Sequence, residues 1–136
     1  MKRINMGLIF ILILLVTILN TGCITDSNQD KNKDVFYSDV VDLVNHSLKL
    51  EKNKQDKIVK ATVTGRISNK LDRIINVNIT VMFYSKTDEY LDRKSYEIYG
   101  LREKGELGSA TNFEIVYTGN NVSYVDYIKM HAFEIT

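Results

Sequence analysis

One stretch in the middle of the chain restricts the fold more than any other. Between Ile74 and Ser85 the sequence reads IINVNITVMFYS, with apolar residues at every second position. Successive side chains of a strand point to opposite faces, so this alternation predicts a strand with one apolar and one mostly polar face. Such a strand needs neighbours along its edges and a second layer over its apolar face. That apolar face comprises Ile75, Val77, Ile79, Val81 and Phe83.

Further segments carry the same kind of signal and are separated by polar turns. Strands are expected at 41–51, 57–69, 90–99, 110–118 and 124–135, the last as one long strand or two short ones. The spacing of apolar residues in 35–50 also permits a short helix with Ser38 as its N-cap. The hydrophilic run 52–56 resembles a hairpin loop, however, and favours a strand before it.

The number and spacing of these segments predict the fold class. Six or seven strands with turn signals between them, and no convincing long helix, are typical of an antiparallel, immunoglobulin-like β-sandwich. Besides the central strand, the expected core positions are Val59, Ala61, Val63, Gly65, Ile67, Tyr96, Ile98, Leu101, Phe113, Ile115 and Tyr117.

The N-terminus has the layout of an export signal. Lys2 and Arg3 precede an apolar run from Met6 to Leu19, which is shorter than the roughly 20 residues that span a bilayer. Thr21, Gly22 and Cys23 follow, and a cysteine after small residues resembles the lipobox of prokaryotic lipoproteins. That resemblance implies a diacylglyceryl group on Cys23. An uncleaved membrane anchor and plain secretion are the alternatives, and all three place the domain outside the cytoplasm.

These signals divide the chain into three parts. Residues 1–22 are expected to be a signal peptide, and 23–40 the lipid-attachment cysteine with a flexible linker. The linker contains the polar stretch 25–34, which has no apolar residue to contribute to a core. Residues 41–136 are expected to form the β-sandwich, so the protein would be lipid-anchored on the extracytoplasmic face of the cell membrane.

Four short motifs, in order along the chain, resemble the FxLYD domain family of prokaryotic envelope proteins. They are Gly65–Asn69, Val81–Ser85, Leu101–Glu106 and Phe113–Ile115. Within the second motif, Val81 stands where the family has phenylalanine and Ser85 where it has aspartate. The resemblance covers residues 43–135. It implies a small immunoglobulin-like sandwich on an envelope protein, and it brings no catalytic residues.

No chemical site is recognisable in the sequence, so neither a cofactor nor a metal is expected. The two histidines, His46 and His131, lack the short-range spacing of zinc ligands. A net charge of +1 provides no strong field to recruit nucleic acid. Asn45 and Asn121 begin sequons for N-glycosylation, as does the less accessible Asn78 on the central strand.

Tyrosines are concentrated in the second half of the chain. Exposed aromatic clusters bind glycans or partner proteins, although tyrosine is also a good strand residue. The expected function is a non-catalytic envelope module, held to membrane lipid through Cys23, that binds a partner or serves as an accessory or spacer. Its partner would be an envelope protein or a glycan. The alternatives are a subunit joined to a complex by edge-strand addition, and an envelope hydrolase assembled from distant residues. The tyrosines in question are at 84, 90, 96, 99, 117, 124 and 127.

Overall fold

The computed structural model describes residues 35–136. The predicted signal peptide, Cys23 and the polar stretch 25–34 lie outside the described residues. Within them the chain forms seven strands and one short 3-10 helix, Val122–Tyr124. The strands are β1 (Val35–Tyr37), β2 (Val41–Lys52), β3 (Ile58–Asn69), β4 (Ile75–Ser85), β5 (Tyr90–Leu101), β6 (Ala110–Tyr117) and β7 (Val125–Ile135).

The strands form two sheets packed face to face. The four-stranded sheet has the order β1-β7-β4-β5, and the three-stranded sheet has the order β2-β3-β6. All neighbouring strands are antiparallel except β1, which runs parallel to β7. The predicted all-β sandwich is therefore confirmed. The segment 41–51 is a strand, and 124–135 contains one long strand rather than two.

The predicted linker 23–40 is too long at its C-terminal end. Val35, Phe36 and Tyr37 pair with Lys129, Met130 and His131 of β7 and form the edge of the four-stranded sheet. Ser38, considered above as a helix cap, instead accepts hydrogen bonds from the backbone N–H groups of Val40 and Val41 at a bend. Val35–Tyr37, which the prediction placed in the linker, therefore belong to the folded domain.

The apolar face of β4 lies at the centre of the core, as predicted. Its five apolar residues are each at most 2% exposed. Ala61, Val63 and Ile67 of β3 and Phe113, Ile115 and Tyr117 of β6 pack opposite them in one buried cluster. The ring of Tyr117 stacks on that of Phe83 with centroids 4.8 Å apart, joining the two sheets.

Two of the predicted core positions are wrong, for different reasons. Val59 is 43% exposed because the β2–β3 register shifts between Glu51 and Lys52, which leaves Val59 as the extra residue of a bulge. Tyr96 is 41% exposed because β5 is an edge strand, so its side chain is covered from one side only.

Buried polar contacts of Asn69 fasten the loops at one end of the sandwich. Its side-chain amide donates to the backbone carbonyls of Arg73, Leu101 and Arg102 at 2.8, 3.3 and 2.8 Å. Its side-chain oxygen accepts from the N–H of Leu71 at 2.8 Å. The residue is 3% exposed, so both ends of its amide are satisfied inside the protein.

Candidate functional site

Three tyrosines meet on the outer face of the four-stranded sheet. Residues at even positions of β4 point away from the core, and Tyr84 there stands opposite Tyr90 of β5 and Tyr127 of β7. The rings of Tyr84 and Tyr127 stack with centroids 5.2 Å apart and planes 13° apart. Tyr90 meets Tyr84 edge-on at 5.9 Å. We call these three residues the tyrosine cluster.

Charged side chains hold the tyrosine cluster in place. The ammonium of Lys129 lies 4.8 Å from the ring centroid of Tyr84, a cation–π contact. The Tyr127 hydroxyl donates to Asp88 at 3.0 Å, in the turn that joins β4 to β5. Burial of the ring, and then this bond to a carboxylate, raise the pKa of Tyr127, so its phenol stays protonated. Tyr127 is 6% exposed whereas Tyr90 is 51% exposed, so Tyr90 is the accessible member.

The aromatic surface continues along β7 beyond the cluster. Every second residue of this strand points outward, which places Lys129, His131 and Phe133 in line after Tyr127. The rings of His131 and Phe133 are 5.5 Å apart, and Phe133 is 40% exposed. Tyr37 of β1, beside His131, is also exposed. At about 3.4 Å per residue the row from Tyr127 to Phe133 is roughly 20 Å long.

The predicted tyrosine set includes the three members of the cluster but not Tyr37 of the adjoining surface. Tyr84, Tyr90 and Tyr127 converge, whereas Tyr117 is in the core and the other three of the predicted set lie apart from the cluster. Lys129 and Phe133 were not singled out. Their signal was present in β7, where large side chains recur at every second position from Tyr127.

A shallow cleft opens between the edges of β5 and β6. It is lined by Asn45, Thr64, Gly65, Tyr96, Asn112, Phe113 and Glu114. Gly65 makes the cleft floor, because its missing side chain leaves room for the ring of Phe113 on the adjacent strand. A Cβ at this position would lie 2.6 Å from the Phe113 ring. The glycine therefore has a packing role.

The predicted sequons lie in different environments. Asn45 is exposed on the edge strand β2, directly after a bulge, and Asn121 is exposed at the start of the 3-10 helix. Asn78 is half-buried between β5 and β7, and its amide lies 3.5 Å from the Glu97 carboxylate. Asn78 is therefore the least accessible of the three, as predicted.

The two histidines belong to different sheets. His46 is on β2 opposite Gly65, and His131 is on the outer face of β7. Among residues 35–136, no three histidine, cysteine or acidic side chains come together as metal ligands. In the same part of the chain, no helix has the length and apolar character needed to cross a bilayer.

Comparisons with known proteins give one structural similarity. A scan against protein-family models finds no match, and a search of curated proteins finds no significant match. Among solved structures, the chain is similar to the crystal structure of Campylobacter jejuni cj0090, with 9% identity and a TM-score of 0.46. The alignment covers 75% of this chain and 97% of that one. The assignment as a β-sandwich rests on the strands and pairing described above.

Proposed function

We propose that the protein is a non-catalytic module of the cell envelope that binds an envelope protein or a glycan through the outer face of its four-stranded sheet. The aromatic row on that face carries the proposal. Large aromatic side chains bring wide contact area at low entropic cost, which is why binding surfaces are enriched in them. Lys129 contacts the ring of Tyr84 and Asp88 accepts a hydrogen bond from Tyr127, so these side chains are already ordered before a partner binds.

We further propose that Cys23 carries a diacylglyceryl group on the extracytoplasmic side of the membrane. Support comes from the charged start, the apolar run and the small residues before the cysteine. One acyl chain gives only marginal membrane binding, and two anchor stably. Cys23→Ser tests this proposal. Loss of the lipid mass and release from the membrane fraction are expected, whereas equal mass and equal membrane retention would indicate an uncleaved anchor.

An FxLYD-type domain is the family proposal that fits these residues. Gly65 admits the Phe113 ring and Asn69 fastens three loop carbonyls, which are structural reasons for residues in the first motif. Ser85 stands at the family's aspartate position. Its hydroxyl accepts from the N–H groups of Thr87 and Glu89, both at 3.2 Å. A carboxylate there would accept the same two bonds.

Cross-linking in cells followed by pull-down of the full chain tests the binding surface. Tyr90→Ala and Phe133→Ala truncate its two accessible ends and should each lower the recovered partner several-fold. Tyr124→Ala is the matched control, since Tyr124 is 66% exposed but lies in the 3-10 helix outside the aromatic row. Equal recovery with all three variants would refute the surface. Digestion of the captured material by glycosidase or protease distinguishes a glycan from a protein.

A further inference from the structure

The free edge of β5 has one straight section of limited length. β5 is the terminal strand of its sheet. Its register with β4 shifts between Phe83 and Tyr84 and again between Ile75 and Val77, so a bulge bounds the regular part at each end. The regular part is Asp92–Ile98, seven residues with Ser95 at its centre. A bulge bends a strand and disrupts its ladder locally, so the regular ladder that a further strand can extend consists of these seven residues.

We propose that a second copy of this chain pairs with that edge, β5 against β5, about a two-fold axis through Ser95. In this register Asp92–Ile98 of one copy lies opposite the same segment of the other, running in reverse, and the whole straight section is used. Outward-facing residues meet outward-facing residues, as an antiparallel ladder requires. The two four-stranded sheets would join into one continuous sheet of eight strands.

Charge complementarity supports a second copy as the occupant. The register places Arg93 of each copy opposite Glu97 of the other, on the outer face. Among residues 35–136 the Arg93 guanidinium makes no ion pair or hydrogen bond, and its side chain is exposed. Glu97 accepts from the Tyr99 hydroxyl and from Asn78, and a carboxylate has room for further donors. Opposite charges directly across an antiparallel pair are stabilising.

Neighbouring registers are less favourable. Moving the axis to Lys94, Arg93 or Glu97 places a charged residue opposite its own copy, and like charges there are destabilising. Moving it to Tyr96 leaves no opposite-charge pair. With the axis at Ser95, Lys94 instead faces Tyr96 on the inner side, a pairing suited to a cation–π contact.

The edge strand β2 of the three-stranded sheet offers less. On β2 the opposite charges Lys49 and Glu51 could also face each other in a self-pair. Glu51, however, is already bonded to Lys60 at 2.9 Å, and this bond lowers the pKa of its carboxyl.

A two-fold pair at β5 uses the free edge of both copies, so it closes as a dimer and does not extend into a filament.

Cross-linking through a thiol at the axis tests the dimer. The full chain is used in excess non-ionic detergent, with Cys23→Ser to remove the native thiol and Ser95→Cys to place one at the axis. Directly opposite residues have Cβ atoms about 5 Å apart, so a short bismaleimide should yield a covalent dimer. Ser47→Cys, on the outer face of β2, is the matched control and should remain monomeric.

Charge reversal then tests the register. In the Ser95→Cys background, Arg93→Glu places two acids opposite each other across the interface and should raise the concentration for half-maximal cross-linking at least about tenfold. Adding Glu97→Arg restores opposite charges and should restore cross-linking. Circular dichroism checks that the fold is unchanged. The proposal is overturned if the Ser95→Cys variant gives no covalent dimer or if the Ser47→Cys control cross-links equally well. It is also overturned if Arg93→Glu leaves cross-linking unchanged or if adding Glu97→Arg fails to restore it.

Discussion

Replacing Asn69 by aspartate, a near-isosteric change, should strongly destabilise the domain. The substitution keeps the shape and the oxygen that accepts from Leu71, but it removes the amide that donates to three carbonyls. A carboxylate oxygen would then face the carbonyl oxygens of Arg73, Leu101 and Arg102. These bonds join the loop after β3 to the end of β5, so both loops lose their attachment together.

The magnitude follows from the burial of the site. Two good hydrogen bonds contribute about 1 kcal/mol each, and leaving buried acceptors without donors adds about 1–3 kcal/mol. An unpaired buried charge alone is destabilising by about 3–5 kcal/mol. We therefore expect Asn69→Asp to lower the free energy of unfolding by about 4 kcal/mol at neutral pH. That is a large part of the 5–15 kcal/mol typical of a domain, and about 15 °C or more in Tm.

The loss in free energy of unfolding caused by Asn69→Asp should be larger at neutral pH than at acid pH. The ionised form of the introduced aspartate faces oxygens, whereas its protonated form can donate one bond, so its folded-state pKa lies above the unfolded value of about 3.9. Stability of the variant is then greatest below the unfolded pKa and is lost as pH rises through the folded pKa. The difference from wild type should shrink at acid pH.

The difference in free energy of unfolding between Asn69→Asp and wild type can be measured on residues 31–136 by urea unfolding at several pH values, with far-UV circular dichroism as the readout. Asn112→Asp is the matched control. Asn112 is exposed, and its oxygen accepts from Arg66 at 3.1 Å, a role that a carboxylate retains. A loss below about 1 kcal/mol for Asn69→Asp, or a deficit that does not change with pH, would refute the reasoning from the three carbonyl bonds.

Three further outcomes are expected. Gly65→Ala should lower the free energy of unfolding by about 1–3 kcal/mol, since its Cβ would meet the Phe113 ring, and Phe113→Leu should relieve part of the loss in a double variant. Val81→Asp should prevent stable folding, measured as loss of the strand spectrum, because the residue is fully buried. Donation from Arg73 lowers the pKa of the Glu134 carboxyl, so the stability contributed by this ion pair is lost as pH falls through that pKa. Arg73→Ala should raise the pKa of Glu134, as measured by NMR titration.

The sequence was most informative where a strand has neighbours on both edges. β4 is central in its sheet, so one face is wholly buried and the alternation of its residues reports the fold directly. An edge strand is covered from one side only, so alternation of apolar and polar residues along it is a weak guide to burial. Tyr96 on the edge strand β5 was therefore wrongly predicted to be a core residue. β1 was not recognised because three residues are too few for a periodic pattern.

Local backbone irregularities were also invisible in the sequence. A bulge inserts one residue and shifts the alternation after it, which moved Val59 out of the core. Gly119, in the turn before the 3-10 helix, also has a packing reason, since a Cβ there would lie 2.4 Å from the Tyr117 ring. Such close approaches depend on tertiary packing and leave no local signal.

The contrast between the two outer faces gives the strongest structural reason to place binding on the four-stranded sheet. On the three-stranded sheet, outward polar groups pair with each other: Ser47 with Thr64 at 2.9 Å, Arg66 with Asn112 and Lys60 with Glu51. That face is mostly polar, although Val116 is 43% exposed there and the hydroxyl of Thr62 has no hydrogen-bond partner among the described residues. The other face instead exposes aromatic rings to water, at a cost in solvation that folding alone does not require. The proposed interaction surface would explain this difference, and the proposed β5 pairing would place two such faces side by side on one continuous sheet.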